Sequence, residues 1–401
     1  MILVEEARAR ILSALSPTGA ESVALPDAWN RVLAAPVAAR LNQPPADVSA
    51  MDGYAVRAAD AVAGAWLRVI GAAPAGHPFA GVVGAGEAVR IFTGGVMPPG
   101  ADSVLIQEDA EAREGAVLVR EAAPPGRWVR RAGLDFTTGE VLLRPGRRLS
   151  ARDIGLAAAA NHPWLSVHRA PRIGILATGD EIVLPGEPLP PGGIVSSNAH
   201  ALSAMVRAGG GVPLVLPVAR DDLQAIGAAA EAARFCDLMV TTGGASVGEH
   251  DLVQQALGPH GFTLDFWKIA MRPGKPLIWG RLGETPMLGL PGNPVSAMVC
   301  AVLFLWPALA VLSGLPPMAP PIRTALAGAP LAANDRREDY LRATVAQDAE
   351  ARLVATPAMR QDSSMLRVLA GSDALIRRLP NAPAIAEGAP VEVILLPELG
   401  L

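Results

Sequence analysis

The chain has little cysteine for its length. Only two of its 401 residues are cysteines, Cys236 and Cys300, and they form no CxxC pair. Both lie in apolar segments, so we expect reduced thiols in the core, which fits a cytoplasmic protein. The histidines are too scattered along the chain to predict a zinc site.

An excess of basic residues is also missing. The chain has 34 Lys and Arg against 38 Asp and Glu, a formal net charge of -4, which argues against nucleic acid or an anionic membrane as the main partner. The N-terminus lacks the apolar block of a signal peptide. One uncharged segment, Val295–Leu312, just reaches membrane-spanning length, but it contains Pro307 and has no basic flank. We expect it to be a buried helix of a soluble core.

Three common catalytic signatures are absent: G-x-S-x-G, the Walker lysine motif and the Rossmann G-x-G-x-x-G. The length predicts two or more domains. Before Arg172, a helix at about Val4–Leu15 and short strands broken by Gly and Pro predict a small, mainly β region. A short helix with Ser150 as its N-cap is predicted to follow these strands. After Arg172, apolar strands alternate with helices, which predicts a parallel sheet covered on both faces. Strands beyond the Pro-rich linker predict a C-terminal β-barrel-like domain.

Each predicted strand of the middle region is followed by a loop of polar, charged or glycine residues. Since the carboxyl ends of parallel strands meet at one edge of a sheet, these loops are expected to form one ligand site. The loops are TGDE (178–181), ARDD (219–222), GGASVGEHD (243–251), MRPGKP (271–276) and PGNPVS (291–296).

The charged residues at this edge divide by sign. Glu181, Asp221 and Asp251 are the kind of ligand that Mg²⁺ prefers. Lys268 and Arg272 share strand parity, which would point both side chains the same way, and Lys275 adds a third positive charge. The PGNPVS loop opens an apolar helix whose N-terminus favours an anion. The pattern predicts a phosphate or another oxyanion held between a metal ion and cations.

Each loop by itself also has a purely structural interpretation. Asp251 is well placed to cap the following helix, and the TGDE and ARDD loops fit helix or turn caps. The MRPGKP loop fits a solvated turn. Only the five loops together indicate an active site. Within GGASVGEHD, Gly243, Gly244 and Ser246 are predicted to let backbone N–H groups approach a phosphate.

A second group of motifs lies in the N-terminal part. Asp52 stands in AMDGYA, and the segments RIFTGGVMPPGAD and RRAGLDF are similarly rich in glycine and polar residues. Loops of this kind on a small β domain are expected to close a cleft, in the same chain or in a symmetry-related copy.

Seven segments, in this order, resemble the molybdopterin molybdenumtransferases, the family of MoeA and the gephyrin E domain, over essentially the whole chain. They are NQPPADVSAMDGYAVR, IFTGGVMPPGAD, VRRAGLDF, LATGDEIV, TTGGASVGEHD, FWKIAMRPGKP and LPGNPVSAMV. The resemblance implies Mg²⁺-dependent insertion of molybdate into adenylylated molybdopterin, with release of AMP, to give molybdenum cofactor. It also implies a homodimer whose cleft takes residues from the partner's MDGYA domain, and molybdopterin adenylyltransferase as a partner.

The fold implied by the resemblance is α/β and multi-domain. A three-layer molybdopterin-binding (MogA-like) domain is joined to mainly β N-terminal subdomains and a C-terminal β-barrel-like domain. The implied boundaries are residues 1–19 for an N-terminal helix packing on the α/β domain, 20–38 with 140–169 for a linking subdomain, 39–139 for the mainly β subdomain, 170–317 for the α/β domain and 318–401 for the C-terminal domain.

The resemblance also carries roles onto particular positions. The implied catalytic residues are Asp52, Thr93, Asp135, Glu181, Asp221 (or Asp222) and Asp251, of which Glu181, Asp221 and Asp251 are the metal ligands. The implied molybdate-binding residues are Lys268, Arg272, Lys275, Ser296, Arg342 and Ser363. Residues expected to contact the substrate and its phosphate are Thr178, Gly243, Gly244, Ser246, Pro291 and Asn293.

The chain departs from the family pattern in a few places. Arg272 stands where many members have Lys, which keeps the charge but changes the donor geometry to a planar fork. Leu134 replaces a residue that is often acidic beside Asp135. Two other functions are compatible with this pattern: a Mg²⁺-dependent nucleotide or pterin-nucleotide hydrolase, and a non-catalytic gephyrin-like scaffold.

Overall fold

The computed structural model describes residues 1–243 and 255–401, without the side chains of residues 229, 230 and 233. The first helix, Val4–Ser13, has a buried apolar face that packs in the core of the α/β domain. The linking region pairs strand Ala20–Ala24 with Trp164–His168, and Val37–Ala38 with Val141–Leu143. Its helix, Ala151–Ala159, begins at Ser150 as predicted, where Ser150 and Asp153 form a capping box.

The N-terminal region is mainly β, as predicted. Its six-stranded sheet buries apolar side chains on both faces, because these short strands alternate their side chains between two separate clusters. In sheet order the strands are Ser103–Ile106, Gly53–Val56, Glu87–Ile91, Trp66–Ala73, Ala116–Val119 and Ala110–Arg113. A two-stranded sheet, Val48–Ser49 with Val129–Arg130, lies beside it.

The middle domain contains a six-stranded sheet that is mixed, so the prediction of a parallel sheet was wrong in part. Strand Ile278–Leu282 runs antiparallel to both of its neighbours, because the loop 268–277 and the two-residue turn 283–284 connect it to them without a helical crossover. The remaining neighbouring pairs are parallel. In sheet order the strands are Val212–Val215, Arg172–Ala177, Leu238–Thr242, Thr285–Leu290, Ile278–Leu282 and Phe262–Trp267.

Helices cover both faces of this sheet, which confirms the predicted three-layer arrangement. Side chains such as Ile173 and Ile175 face the helix Asn198–Ala208, the first helix and the long apolar helix. Leu176 points to the other face, where it packs in one cluster with Ile226 of the helix Leu223–Ala233. The alternation of side chains along each strand produces these two cores.

The long apolar helix lies in the centre of the larger core. It runs through the helix Pro294–Cys300, a π-helical turn Ala301–Leu305 and the helix Trp306–Leu312. The wider turn precedes Pro307, which has no N–H to continue the α-helical pattern. By length and composition these 19 residues could cross a membrane, but 89% of the most apolar stretch is buried inside the protein, as expected of a core helix.

The C-terminal domain is a closed barrel. Strand Glu338–Gln347 pairs with Leu353–Pro357 on one side and with Ala374–Arg378 on the other, which closes a ring of five strands. The ring is completed by Pro390–Leu395 and by Arg323–Ala327. A short helix, Leu366–Ala370, follows the loop 358–365 that reaches the α/β domain.

Candidate active site

A cavity of about 490 Å³, lined by both polar and apolar residues, lies at the carboxyl edge of the central sheet. The one antiparallel strand, Ile278–Leu282, begins at this edge, so the loop between it and Phe262–Trp267 reaches the same edge as the loops that follow the parallel strands. Of the predicted site residues, six line the cavity: Thr178, Glu181, Gly243, Pro291, Asn293 and Ser296. Gly244, Ser246 and Asp251 lie outside the described residues.

Thr178 and Gly243 form the floor of the cavity. Gly243 has φ +93°, and a Cβ built on it would lie 2.4 Å from the carbonyl oxygen of Thr178. Only glycine therefore lets these two strand ends approach so closely. The hydroxyl of Thr178 is buried and has no hydrogen-bond partner among the described residues. An unpaired buried hydroxyl is costly, so this atom is available to a polar ligand.

Asn198 joins three segments of the cavity wall, and the sequence analysis did not identify it. Its Nδ2 donates to the hydroxyl of Thr242 and to the carbonyl of Gly292, both at 2.7 Å. Since a carbonyl only accepts hydrogen bonds, this contact fixes the orientation of the amide. Its Oδ1 is buried without a partner in the described part of the chain. The only sequence signal was its position at the start of a predicted helix, where an asparagine is equally typical of a cap.

The PGNP loop joins the α/β domain to the C-terminal barrel. Asn293 is the N-cap residue of the helix, but its side chain makes no cap; its Nδ2 donates to Ser363 Oγ at 3.0 Å. The N–H of Val295 donates to the carbonyl of Ser363 at 3.1 Å, and the adjacent Ser364 lines the cavity. The loop of the barrel therefore forms one wall of the site at the helix N-terminus.

Arg342 lies behind this loop and is almost completely buried, with 1% of its surface exposed. Its Nη2 donates to the carbonyl of Asp362 at 3.1 Å, while its Nε has no partner among the described residues. Burial lowers the pKa of Arg342, and the nearby Asp362 carboxylate partly opposes this effect. A buried guanidinium with an unused Nε–H donor is suited to an anion.

Two of the three predicted metal ligands lie on adjacent loops. The Thr178 and Ala219 backbones form a parallel bridge, which brings the loops of Glu181 and Asp221 together. The N–H of Asp221 donates to Asp180 Oδ1 at 3.3 Å. Among the described residues, no three His, Cys, Asp or Glu side chains lie close enough to hold a metal ion. The third predicted ligand, Asp251, is outside the described residues.

The three predicted cationic residues do not share one direction. Lys268 has φ +71°, so the chain turns after Trp267, and the strand-parity argument for Lys268 and Arg272 was wrong. The Lys268 Nζ lies 3.5 Å from the centre of the Trp267 ring. Arg272 pairs with carboxylates of the barrel, and Lys275 is exposed. Of this loop, Pro276 reaches the cavity wall.

Two of the predicted residues of the N-terminal region, Asp52 and Thr93, contact each other away from the cavity. Asp52 Oδ1 accepts hydrogen bonds from the N–H of Thr93 at 2.7 Å and from its hydroxyl at 2.8 Å. These bonds, the backbone one first, lower the pKa of Asp52. Asp135 lies in the neighbouring loop, where its N–H donates to Gln43. None of the three lines the cavity of the same chain.

We expect a Thr93→Val substitution to raise the pKa of Asp52 towards its ordinary value, because it removes the hydroxyl and leaves the backbone N–H. Because the pKa of Asp52 is lowered in the folded state, its ionised carboxylate stabilises the folded protein, and this contribution is lost as the pH falls through the folded-state pKa. The substitution raises that pKa, so the loss of stability should occur at higher pH. A carboxyl-carbon NMR titration measures the shift. Asp47, whose pKa is lowered mainly by the N–H of Ala132, serves as the control and should not change.

Comparison with known proteins connects this architecture to one family. Residues 2–161 match the MoeA N-terminal region (domain I and II), residues 174–311 a probable molybdopterin binding domain, and residues 324–396 the MoeA C-terminal region (domain IV). A molybdopterin molybdenumtransferase from Haemophilus influenzae is 37% identical over 78% of both chains. Molybdopterin molybdenumtransferase 2 of Mycobacterium tuberculosis is 35% identical over 93% of this chain and 94% of its own.

The chain belongs to the molybdopterin molybdenumtransferase (MoeA) family. Two crystal structures of the MoeA protein from Pyrococcus horikoshii agree with this assignment. They superimpose with TM-scores of 0.86 and 0.84, at 30% and 26% identity, and each covers 98% of this chain. The molybdenumtransferase relationship makes this protein a transferase of molybdenum cofactor biosynthesis. The cavity lies in the segment that matches the molybdopterin-binding domain of the MoeA family.

Proposed function

We propose that the cavity binds adenylylated molybdopterin, and that the protein inserts molybdate into this substrate with release of AMP. The observation that carries the proposal is the pair of buried polar atoms, unpaired among the described residues, in the cavity of the matched probable molybdopterin binding domain. These atoms are the Thr178 hydroxyl and Asn198 Oδ1. The pterin ring and the phosphates of this substrate carry the donors and acceptors that could form hydrogen bonds with these buried atoms. Release of AMP requires cleavage of the phosphoanhydride bond, during which charge develops on the phosphate oxygens.

The anionic groups would meet cations and dipoles at one side of the cavity. Molybdate is a tetrahedral dianion, and charge-assisted hydrogen bonds from Arg342 suit it. Ser296 and Ser363 provide hydroxyls at the start of the apolar helix, where an anion is favoured. Lys268 and Lys275 flank the turn at the same edge and would raise the local concentration of anions.

Mg²⁺ would neutralise charge on the phosphate oxygens when bound. Glu181 and Asp221 would hold it, together with Asp251. The carboxylates of Glu181 and Asp221 fit this role in chemical type and in their placement on adjacent loops. In the described residues, Glu181 is the carboxylate that reaches the cavity wall.

We infer that a second copy of the chain completes the site. Asp52 and Thr93 form an ordered polar cluster, yet neither lines the cavity of their own chain. A homodimer would allow the partner's cluster to close the cavity. The adenylylated substrate requires a molybdopterin adenylyltransferase to supply it. Two free cysteines fit a cytoplasmic location.

The decisive experiment is reconstitution with adenylylated molybdopterin, molybdate and Mg²⁺, measuring AMP and active cofactor. We expect Glu181→Gln to lower the rate of AMP release by about a hundredfold or more, since the substitution removes the charge that would hold the cation. AMP release without cofactor formation by the unaltered protein would indicate a hydrolase instead.

Glu187→Gln is the matched control for this substitution. Glu187 lies in the same segment and accepts from the N–H of Leu184, so its loss should leave AMP release unchanged. The shared site is tested by mixing two inactive variants, Glu181→Gln and Asp52→Asn. In a homodimer that exchanges subunits, the mixture regains activity because some dimers contain one intact site. An inactive mixture of exchanging subunits would contradict the shared site.

A further inference from the structure

The segment Met271–Arg272 belongs to the α/β domain in sequence but pairs with the barrel in space. Met271 lies beside Glu338 and Arg272 beside Asp339 in a parallel pair. The N–H of Glu338 donates to the carbonyl of Ala270 at 2.9 Å. The loop that carries the predicted cationic residues is therefore joined to the first residues of strand Glu338–Gln347.

Two carboxylates of the barrel hold the guanidinium of Arg272. Its Nη2 donates to Asp339 Oδ2, and its Nη1 lies 3.5 Å from Asp335 Oδ2. The side chain of Asp339 is only 6% exposed, whereas that of Asp335 is 45% exposed. The hydrogen bond to Asp339 is the main reason that the pKa of Arg272 is raised, so the residue remains charged.

Asp339 needs a cationic partner because it is buried. Burying a carboxylate without a cationic partner is strongly unfavourable. Arg378 lies opposite Asp339 in the barrel register and interacts with it electrostatically, but its Nη2 donates to the carbonyl groups of Ala332 and Pro383 rather than to Asp339. Asp339 Oδ1 has no partner among the described residues. Arg272 thus provides the ion pair of Asp339 in the described part of the chain.

The same strand leads directly to the site. Arg342 lies three residues after Asp339, and its guanidinium donates to the carbonyl of Asp362. Asp362 precedes Ser363 and Ser364, which contact Asn293 and line the cavity, respectively. A displacement of the first residues of the strand would therefore move both Arg342 and the barrel wall of the cavity.

We propose that Arg272 is a positioning residue that fixes the barrel strand carrying Arg342 against the anion pocket, and that it does not itself contact the oxyanion. The planar guanidinium of Arg272 contacts two carboxylates through two different nitrogens. The single ammonium group of a lysine is less suited to contact both carboxylates at once. The part of the proposal that concerns affinity rests on the proposed function of the pocket.

A double-mutant cycle tests the proposal on the full-length protein. The variants are Arg272→Gln, Asp339→Asn and the combination of both. Molybdate alone is the probe, and its dissociation constant is measured by calorimetry alongside thermal unfolding. We expect each single substitution to raise the dissociation constant for molybdate about fivefold. The double variant should have a dissociation constant no higher than that of the more affected single variant, because each substitution removes the same ion pair. The milder Asp335→Asn should weaken binding by about twofold or less, since this pair is exposed.

Arg281→Gln is the matched control. Arg281 also lies on a strand of the α/β sheet and pairs with a carboxylate, that of Glu284. This ion pair lies at the turn between Ile278–Leu282 and Thr285–Leu290, at the edge of the sheet opposite the cavity. Its loss should leave molybdate binding unchanged.

Weaker molybdate binding in Arg272→Gln together with unchanged or tighter binding in Asp339→Asn would show that Arg272 contacts molybdate directly, and would overturn the proposal. Additive losses of thermal stability would also overturn it. Failure of the unaltered protein to bind molybdate would instead contradict the oxyanion pocket, and the unfolding data would still test the ion pair.

Discussion

Replacing Arg342 by methionine is expected to weaken molybdate binding about a hundredfold while leaving the stability of the protein unchanged or higher. The two effects have opposite signs because the guanidinium is buried without a full set of partners. Its burial costs free energy in the unliganded protein, whereas the bound oxyanion would supply the missing charge and hydrogen-bond acceptors. Methionine is unbranched and fills a similar volume without a charge.

Calorimetry with molybdate and thermal unfolding together measure both effects. Arg323→Met is the control in the same barrel, since Arg323 forms an exposed ion pair with Glu398. Exposed pairs of this kind contribute about 0–1 kcal/mol, so both quantities should change little. A large loss of stability in Arg342→Met would show that the arginine is structural, and unchanged molybdate affinity would remove it from the site.

The second large effect is expected for Gly243→Ala. The new methyl group would lie 2.4 Å from the carbonyl oxygen of Thr178, on a residue with φ +93°. Left-handed backbone costs an alanine about 1–2 kcal/mol, and overpacking adds about 1–3 kcal/mol. The adjustment would displace Thr178 and with it the floor of the cavity. We therefore expect a clear loss of stability and of affinity for adenylylated molybdopterin.

Gly283→Ala separates the cost of the left-handed backbone from the cost of the steric contact with Thr178. Gly283 also has positive φ, at +58°, but a Cβ there meets nothing within 4 Å. This control should show only the cost of the backbone conformation, about 1–2 kcal/mol. Hydrogen exchange of the Thr178 N–H, which donates to the carbonyl of Thr242 at 3.1 Å, reports on the floor itself. Equal exchange rates in the two variants would contradict the predicted displacement.

Local patterns in the sequence predicted most of the fold. The alternation of apolar strands and helices after Arg172 is confirmed in the three-layer domain, and the short strands before it in the β region. Ser150 was sufficient to predict where a helix begins, because a hydroxyl at that position satisfies a free N–H of the first turn. The mixed sheet was missed because strand direction depends on the connection, and apolar strands of either direction have similar sequences.

The candidate site was predictable as a set of loops but not as a set of contacts. Residues at the ends of parallel strands share one edge for a topological reason, so the loops that contain Thr178, Glu181 and Asn293 were found from the strand pattern, and the resemblance then indicated the individual residues. Asn198 was missed because its role depends on reaching Thr242 and Gly292, which are distant in sequence. Lys268 and Arg272 were paired by strand parity, which fails where the backbone leaves the strand at Lys268.

The sequence by itself therefore determined the family, the succession of domains and the edge of the sheet where the ligand loops gather, since these follow from local periodicity and ordered motifs. Tertiary structure decided which groups meet. It buried Arg342 behind a loop of the barrel, paired Arg272 with carboxylates 63 and 67 residues further along the chain, and separated Asp52 from the cavity of its own chain. The reason is physical: a buried charge or an unpaired donor is defined by what surrounds it, and those surroundings come from segments that are far apart in sequence.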